Sequence, residues 1–324
     1  MKMQKNELTV LALIMVVVFV GMVVVTGGSF MTVGNLQGMA FQLPELGIFA
    51  LAMMVVLITG GINLSIIATA NMVGITCALI MKALEGSAPP SLVMLLALLA
   101  GFGVAVVVGL GNGFLIAYIG MTPILATLGT MTLLNGIAIV VTKGYVISGF
   151  PDAVQFIGNG SVLGIPFPLL VFALVAFFLW FFLNKTRTGF NLYMYGSNAS
   201  VTKFSGVNNA HVLLWTYVMS SVYSGIAALV MISRFNSAKS GYGNSYLLVS
   251  ILACVLGGVS SSGGFGRVMG VVLALVTLQM LSSGFNLLRM NAFLTTAIWG
   301  FVMILVMVIN YLVDNHKSKK GVGV

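Results

Sequence analysis

Long apolar segments recur from one end of this 324-residue chain to the other. Each is about 18 residues or longer, enough for a helix to cross roughly 30 Å of bilayer hydrocarbon. Only helices and closed barrels satisfy their backbone groups in lipid, and these segments are too long and continuous for barrel strands. With 60% hydrophobic and 6% charged residues, the chain also lacks the polar surface of a soluble domain. The sequence therefore predicts an all-α, polytopic membrane protein.

The lengths of the apolar segments and the positions of helix-breaking residues between them predict about ten spans. The second and eighth are the shortest, so we expect some helices to be short or discontinuous. All ten belong to one transmembrane domain, residues 1–324. The predicted spans are 8–29, 45–60, 64–83, 91–118, 123–142, 166–184, 211–232, 246–260, 267–284 and 292–313.

Basic residues indicate the orientation, because cytoplasmic loops are enriched in Lys and Arg. If six spans precede the middle loop and four follow it, both termini and that loop are cytoplasmic. The segment Tyr145 to Pro166, which has no basic residue, is then outside. Topology explains the net charge of +9 better than a nucleic-acid partner does. The basic residues that decide the orientation are Lys2, Lys5, Lys185, Arg187, Lys203, Lys317, Lys319 and Lys320.

Two glycine pairs interrupt apolar segments at comparable places. ITGGINLS, Ile58 to Ser65, contains Gly60 and Gly61, and VLGGVSSS, Val255 to Ser262, contains Gly257 and Gly258. Such paired interruptions are typical of discontinuous helices next to a transport pathway. We therefore predict helix breaks at both pairs and a possible internal repeat with halves near 45–142 and 211–313.

Polar side chains near the first break are candidates for the substrate pathway. Two interpretations are open: they line the pathway or its gate, or they satisfy backbone groups that the break sets free. Threonines in spans can also bond back to their own helix. The candidates are Asn63, Ser65, Asn71, Thr127 and Thr130.

Energy for uphill transport is expected to come from another protein. The acidic residues Glu7, Glu45, Glu85, Asp152 and Asp314 all fall at or beyond predicted span ends, which argues against a proton relay in the membrane. No G-x-x-x-x-G-K-[ST] phosphate loop occurs, so ATP and Mg are not expected on this chain. Its two histidines have no nucleophile or metal-ligand spacing around them, so the sequence predicts neither an enzyme nor a metal site.

The long middle loop, residues 185–210, contains a short predicted helix. Asn198 can cap its start, and Gly206 can end it in the left-handed conformation. Val201, Lys203 and Phe204 lie between them. This helix is either a plain amphipathic connector or a docking element for a cytosolic motor subunit.

Several stretches together resemble the permease subunits of bacterial ribose-type sugar importers of the ATP-binding-cassette class. ITGGINLS resembles that family's T-G-G-I-D-L-S, and TPILATLGTMTLLNG, Thr122 to Gly136, resembles T-P-F-I-x-T-L-G-T-M. YGSNASVTKFSGV, Tyr195 to Val207, is similar to its coupling segment. VLGGVSSSGGFGRVMG, Val255 to Gly270, is similar to I-G-G-T-S-L-x-G-G-x-G-x-x-x-G. Order and spacing match from about residue 34 to 312. The chain differs in having Asn63 where the family usually has Asp.

The resemblance implies a permease of the bacterial inner membrane that pairs with a second permease, identical or a sister chain. It implies two copies of a cytosolic ATPase that carry ATP and Mg, seated on the middle-loop helices, and an extracytoplasmic binding protein that delivers a sugar. A facilitator or sodium-coupled carrier working alone is the alternative. No group of residues in the sequence supports a third interpretation, a membrane enzyme or an assembly factor.

Overall fold

The computed structural model describes residues 2–291, 293–295, 297–304 and 308. Helices make up most of this part of the chain. They are α1 (Lys2–Val25), α2 (Val33–Ile58), α3 (Ile66–Ala83), α4 (Pro90–Ala117), α5 (Pro123–Thr142), α6 (Asp152–Asn159), α7 (Phe167–Lys185), α8 (Arg187–Ser197), α9 (Ala199–Phe204), α10 (Asn209–Phe235), α11 (Tyr246–Leu256) and α12 (Val268–Leu287). A 3-10 turn, Ser29–Met31, joins α1 to α2.

The predicted all-α membrane fold is confirmed. Eight helices of the described chain are long and apolar enough to cross a membrane, and two shorter apolar helices, Tyr246–Leu256 and Phe293–Ile304, add to them. The eighth predicted span is indeed short: α11 has 11 residues, a rise of about 17 Å. Residues 305–307 and 309–313 of the last predicted span lie outside the described residues.

The second predicted span, 45–60, was wrong in length. The helix begins at Val33, has 26 residues and runs through Pro44. Glu45 was expected at the end of a span, because a charge is costly in lipid. In the protein Pro44 and Glu45 are both buried against other helices. Glu45 therefore lies inside α2, contrary to the expectation that every acid lies at a span end.

Helices α2 and α10 form the centre of the bundle. Every residue of α2 from Gly47 to Ile58 is buried, whereas the apolar part of α1 is half-buried or exposed along its length. Helix α10 packs against α2, α3, α4 and α6. Its contact with α4 is close because Gly109 and Gly113 bring the backbones together: a Cβ on Gly109 would lie 2.6 Å from the Val218 Cα. Small residues at this spacing are a common way to pack membrane helices.

The two ends of the bundle carry different structures. At one end, the α9 end, α8 and α9 lie between α7 and α10 in the chain. At the other, the α6 end, α6 packs against the last part of α10. There β1 (Ile147–Ser148) pairs antiparallel with β4 (Ser237–Ala238), and β2 (Ser161–Val162) pairs with β3 (Ile165–Pro166). Helix α10 runs from the α9 end to the α6 end.

Candidate functional site: a buried polar network and the α8–α9 segment

The first glycine pair ends α2 in a tight capped turn. Gly60 has φ +77°, and its N–H donates to the Leu57 carbonyl at 2.9 Å. The Gly61 N–H donates to the Val56 carbonyl at 3.2 Å, which completes a Schellman motif. Only a residue without a Cβ adopts the left-handed conformation at Gly60 without strain.

The second glycine pair ends α11 in the same geometry. Gly258 has φ +79°, and its N–H donates to the Val255 carbonyl at 3.1 Å. The Val259 N–H donates to the Cys254 carbonyl at 2.9 Å. Gly257 is the C-cap, and a Cβ there would lie 2.7 Å from the Val271 Cα. The functional meaning of the two breaks, and the internal repeat, stay predictions.

Directly after the first break, Asn63 organises a set of hydrogen bonds. Its Oδ1 accepts from both the Ser65 N–H, at 3.0 Å, and the Ser65 hydroxyl, at 2.7 Å. Its Nδ2 donates to the Ser220 hydroxyl of α10 at 3.0 Å. All three residues are fully buried. The Asn63 side chain therefore holds the irregular segment between α2 and α3 against the central helix.

The hydrogen bonds continue from Ser65 to α4 and α5. Asn112 Nδ2 donates to the Ser65 hydroxyl at 2.9 Å, and Asn112 Oδ1 accepts from the Thr130 hydroxyl at 2.6 Å. Thr127 accepts from the Leu64 N–H at 3.1 Å and donates to the Pro123 carbonyl at 2.7 Å. The polar network, as it is called below, comprises Asn63, Ser65, Asn112, Thr130 and Ser220, which bond to one another, and Thr127, which joins them through the Leu64 N–H.

Sequence reasoning missed two members of this network. Asn112 is the one strongly polar side chain in the second half of α4, and that isolation in an apolar helix was an available signal. Ser220 lies 157 residues from Asn63 and carries no local signal. The network can hold four helices together through satisfied hydrogen bonds. It can also offer hydroxyl and amide groups to a polar solute if those helices separate.

Asn71 does not belong to the polar network. Its Nδ2 donates to the Tyr242 carbonyl at 3.1 Å, in the loop between α10 and α11. Asn71 is buried and lies almost two helical turns beyond Ser65 on α3, nearer the α6 end. The expected polar stripe from Asn63 to Asn71 is therefore divided between two separate environments.

Helix α9 lies where the sequence placed the short middle-loop helix. Asn198 Oδ1 accepts from the Ser200 and Val201 N–H groups, both at 3.0 Å, and so caps the first turn. Gly206, with φ +81°, follows the last turn. Phe204 is 92% exposed, and Lys203 is exposed beside it. Val201, one turn earlier, is also exposed, so α9 presents two apolar side chains on its surface.

Helix α8 was not foreseen from the sequence. Thr186 caps it by accepting from the Gly189 N–H at 3.1 Å, and Gly189 packs against the backbone of α7. A groove between α8 and α9 is lined by Phe190, Tyr193, Met194, Ser197, Asn198, Val201 and Thr202. The middle loop is thus two capped helices meeting at an angle, rather than one helix in an irregular connection.

At the α6 end, Glu45 and Arg234 form an ion pair between α2 and α10. Arg234 Nη1 lies 2.8 Å from Glu45 Oε2, and the Glu45 side chain is completely buried. Arg234 also lies over the Phe235 ring, at 5.6 Å from its centroid. The pair fastens the two central helices at the end opposite to the polar network.

The fold and these features define a class of protein. Long apolar helices surround a buried polar network, and a pair of capped helices projects from one end. In the part of the chain that the structure describes, no three His, Cys, Asp or Glu side chains are placed to hold a metal ion. The protein is a multi-pass, all-α membrane protein.

Comparison with known sequences gives the family. The family described as "Branched-chain amino acid transport system / permease component" matches residues 35–309. The Autoinducer 2 import system permease protein LsrD of Yersinia enterocolitica is 34% identical over 269 residues, 81% of this chain and 79% of that protein. LsrD of Salmonella typhimurium has the same identity and coverage, and LsrD of Yersinia pseudotuberculosis is 33% identical over the same length. No solved structure gave a significant match.

The chain belongs to this permease family. It is a permease subunit of an ATP-binding-cassette importer, which works with ATPase and solute-binding partners, and it is not itself a catalytic enzyme. Membership also makes it a multi-pass protein of the inner membrane. The resemblance drawn from the separate sequence motifs is therefore confirmed.

Proposed function

We propose that this permease forms the pathway for a sugar or a similar small polar solute, delivered by an extracytoplasmic binding protein and driven by ATP hydrolysis on a separate subunit. The observation that carries the proposal is the α9 segment, in which a capped helix presents Phe204 to the surroundings. An importer subunit that binds no nucleotide needs such a surface to receive mechanical work.

The proposed assembly places the α9 end in the cytoplasm. Two copies of the ATPase, which carry ATP and Mg, seat on α9 of this chain and on the equivalent helix of a second permease, identical or a sister chain. Both chain termini are then cytoplasmic, and α6 with the two short β-ladders faces the binding protein. The basic residues Lys185, Arg187 and Lys203 at the α9 end support this orientation.

Within the proposed docking surface, five positions have distinct roles. Val201 and Phe204 supply apolar contact, and Lys203 supplies charge at the rim. Asn198 and Gly206 fix the two ends of the helix, so that a push on Phe204 moves α9 as a rigid unit. A difference in ATPase affinity between two permease conformations is what converts nucleotide binding into movement.

The polar network is the proposed gate of the pathway. Asn63, Ser65, Asn112 and Ser220 are buried, and hydrogen bonds link them to one another and to Thr130. Thr127 joins them through the Leu64 N–H. Asn71 is a separate pathway candidate nearer the α6 end. Opening the gate replaces these mutual hydrogen bonds by bonds to hydroxyl groups of the solute, at little net cost in polar contacts.

The relatives narrow the chemical class of the solute. They are named for import of autoinducer 2, and the motif resemblance is to ribose-type permeases. Isotope-labelled ribose and autoinducer 2 are therefore the first solutes to test. Selectivity is expected to reside largely in the binding protein, because the network itself offers only neutral hydroxyl and amide groups.

Docking is tested with Phe204→Asp, measured by co-purification with the ATPase subunit and by ATP hydrolysis in proteoliposomes. We expect at least a tenfold loss of both, because a charge replaces the apolar contact. Phe204→Leu is the matched control: it keeps an apolar side chain at the same exposed position, and that variant is expected to keep both activities. Normal assembly and coupled hydrolysis with Phe204→Asp would show that α9 is not the docking element.

A second experiment separates this proposal from a carrier that works alone. The purified chain is reconstituted without ATPase or binding protein, and uptake of labelled ribose and autoinducer 2 is measured with and without a sodium gradient. We expect no uptake above empty liposomes. Saturable uptake by the chain alone would overturn the proposal in favour of a facilitator or sodium-coupled carrier.

A further inference from the structure

Four glycines bring three parts of the chain into direct backbone contact at the α9 end of the bundle. Gly60 follows α2, Gly196 lies in the last turn of α8, and Gly263 and Gly264 lie in the loop between α11 and α12. A Cβ on Gly196 would overlap both the Ile58 carbonyl oxygen and the Gly264 nitrogen. A Cβ on Gly263 would lie 2.7 Å from the Gly60 nitrogen and 2.9 Å from the Gly196 oxygen. These four residues are called the glycine joint below.

Hydrogen bonds hold the joint together. The Gly264 N–H donates to the Ile58 carbonyl at 2.8 Å, which satisfies one of the free carbonyls at the end of α2. The Tyr193 hydroxyl of α8 donates to the Gly266 carbonyl at 2.8 Å. Burial raises the pKa of Tyr193 to about 12, so the hydroxyl remains a donor throughout the physiological pH range. Helix α8 is therefore bonded to the α11–α12 loop, which is in turn bonded to α2.

The joint lies between α9 and the polar network. On one side, α8 continues through Asn198, which is at once the C-cap of α8 and the N-cap of α9. On the other side, Gly60 is three residues from Asn63. Between them, Gly61 packs against Tyr217 of α10, where a Cβ would lie 2.7 Å from the hydroxyl oxygen. This contact region gives a movement of α9 a path to Asn63, in addition to the direct contacts of α8 and α9 with α10.

We propose that the glycine joint is the element that couples α9 to the polar network during transport, and that Gly196 is its principal positioning residue. This inference rests on the proposed function. Backbone atoms in direct contact have no rotamers to absorb a displacement, so a shift of α8 moves the end of α2 by a similar amount. The same shift moves the α11–α12 loop, and both glycine-ended helices respond together.

The joint also explains why residue 196 is glycine, although the backbone conformation at that position does not require one. Gly196 lies inside a helix with an ordinary negative φ, and alanine there would favour the helix itself. A methyl group on Gly196 must instead push α8 away from Ile58 and Gly264 by roughly 1 Å to reach normal van der Waals separation. The requirement therefore comes from the contact between elements.

The test is Gly196→Ala in proteoliposomes that contain the chain with its ATPase subunit and binding protein. Uptake of labelled ribose and autoinducer 2 is measured together with ATP hydrolysis. We expect hydrolysis to stay within a factor of two or three of wild type, while uptake per ATP falls at least tenfold. Gly111→Ala is the matched control, because Gly111 is also helical and nothing lies within 4 Å of its Cβ position. That variant is expected to keep the wild-type ratio.

Tyr193→Phe tests the same proposal if the Gly196→Ala protein fails to fold. It removes one hydrogen bond of the joint without adding volume, and we expect a two- to fivefold fall in uptake per ATP with normal expression and assembly. If Tyr193→Phe and a folded Gly196→Ala both keep the wild-type ratio, the joint does not couple. If the unaltered chain does not transport with ATP at all, the proposed function fails instead.

Discussion

The Glu45–Arg234 pair allows an asymmetric prediction about stability. Glu45 is completely buried in α2, whereas the Arg234 side chain is 22% exposed at the end of α10. Removing the arginine leaves a carboxylate without its positive partner inside the bundle. Removing the carboxylate leaves a guanidinium that already reaches the solvent. The two single substitutions should therefore differ, although they break the same contact.

The magnitudes follow from this difference in exposure. Breaking a buried ion pair from one side costs about 3–5 kcal/mol, and partial exposure of Arg234 puts Arg234→Met near about 3 kcal/mol. Glu45→Gln keeps the shape and an acceptor oxygen for Arg234, so about 1 kcal/mol is expected. In Glu45→Gln/Arg234→Met no buried charge remains. That variant should be more stable than Arg234→Met alone, with a coupling energy of about 2 kcal/mol.

Thermal unfolding of the purified proteins in one detergent provides the measurement. We expect Arg234→Met to lower the melting temperature by about 5 °C or more, and Glu45→Gln by less than about 3 °C. The double variant should recover part of the loss. Equal losses for the two single variants, or a double variant whose loss equals their sum, would refute the reasoning from burial.

Two further predictions concern the polar network. Asn63→Asp should keep the fold. Asn63 Oδ1 already accepts two hydrogen bonds from Ser65, and the Ser220 hydroxyl can rotate to donate to the new oxygen. The transport rate or the solute preference in proteoliposomes should change. Unchanged transport would make this stretch purely structural. Asn112→Leu should lower stability by about 1–2 kcal/mol, because the Ser65 and Thr130 hydroxyls each lose a partner. A melting temperature equal to that of wild type would contradict this.

Local signals in the sequence predicted much of the fold. Proline at the first helical position marks the start of α5, which has the bounds that were predicted. The Asn198 cap and the Gly206 turn of α9 were also readable, since both depend on neighbouring residues alone. Hydropathy located nearly all the long helices, because lipid imposes a minimum apolar length.

The errors arose where distant parts of the chain decide the structure. Glu45 was expected at a span end, but its partner Arg234, 189 residues away, makes the carboxylate tolerable in the helix interior. Only part of the polar network could be predicted from the sequence. Asn63 and Ser65 follow a glycine pair, whereas Ser220 is recognised only once α10 is packed against them. Asn71 was grouped with them by helical periodicity, which cannot show that a loop folds back onto it.

The shortness of α11 has a consequence for how the protein is made. With 11 residues, α11 is too short for the insertion machinery to release into lipid as an independent segment. Its buried side chains pack against α2 and α12, and the Cys254 thiol donates to the Ala50 carbonyl at 3.1 Å. The helix must therefore take its place after those neighbours are in the membrane. Substitutions on its α2-facing side should appear first as defects of biogenesis, with nascent chains degraded before any transport can be measured.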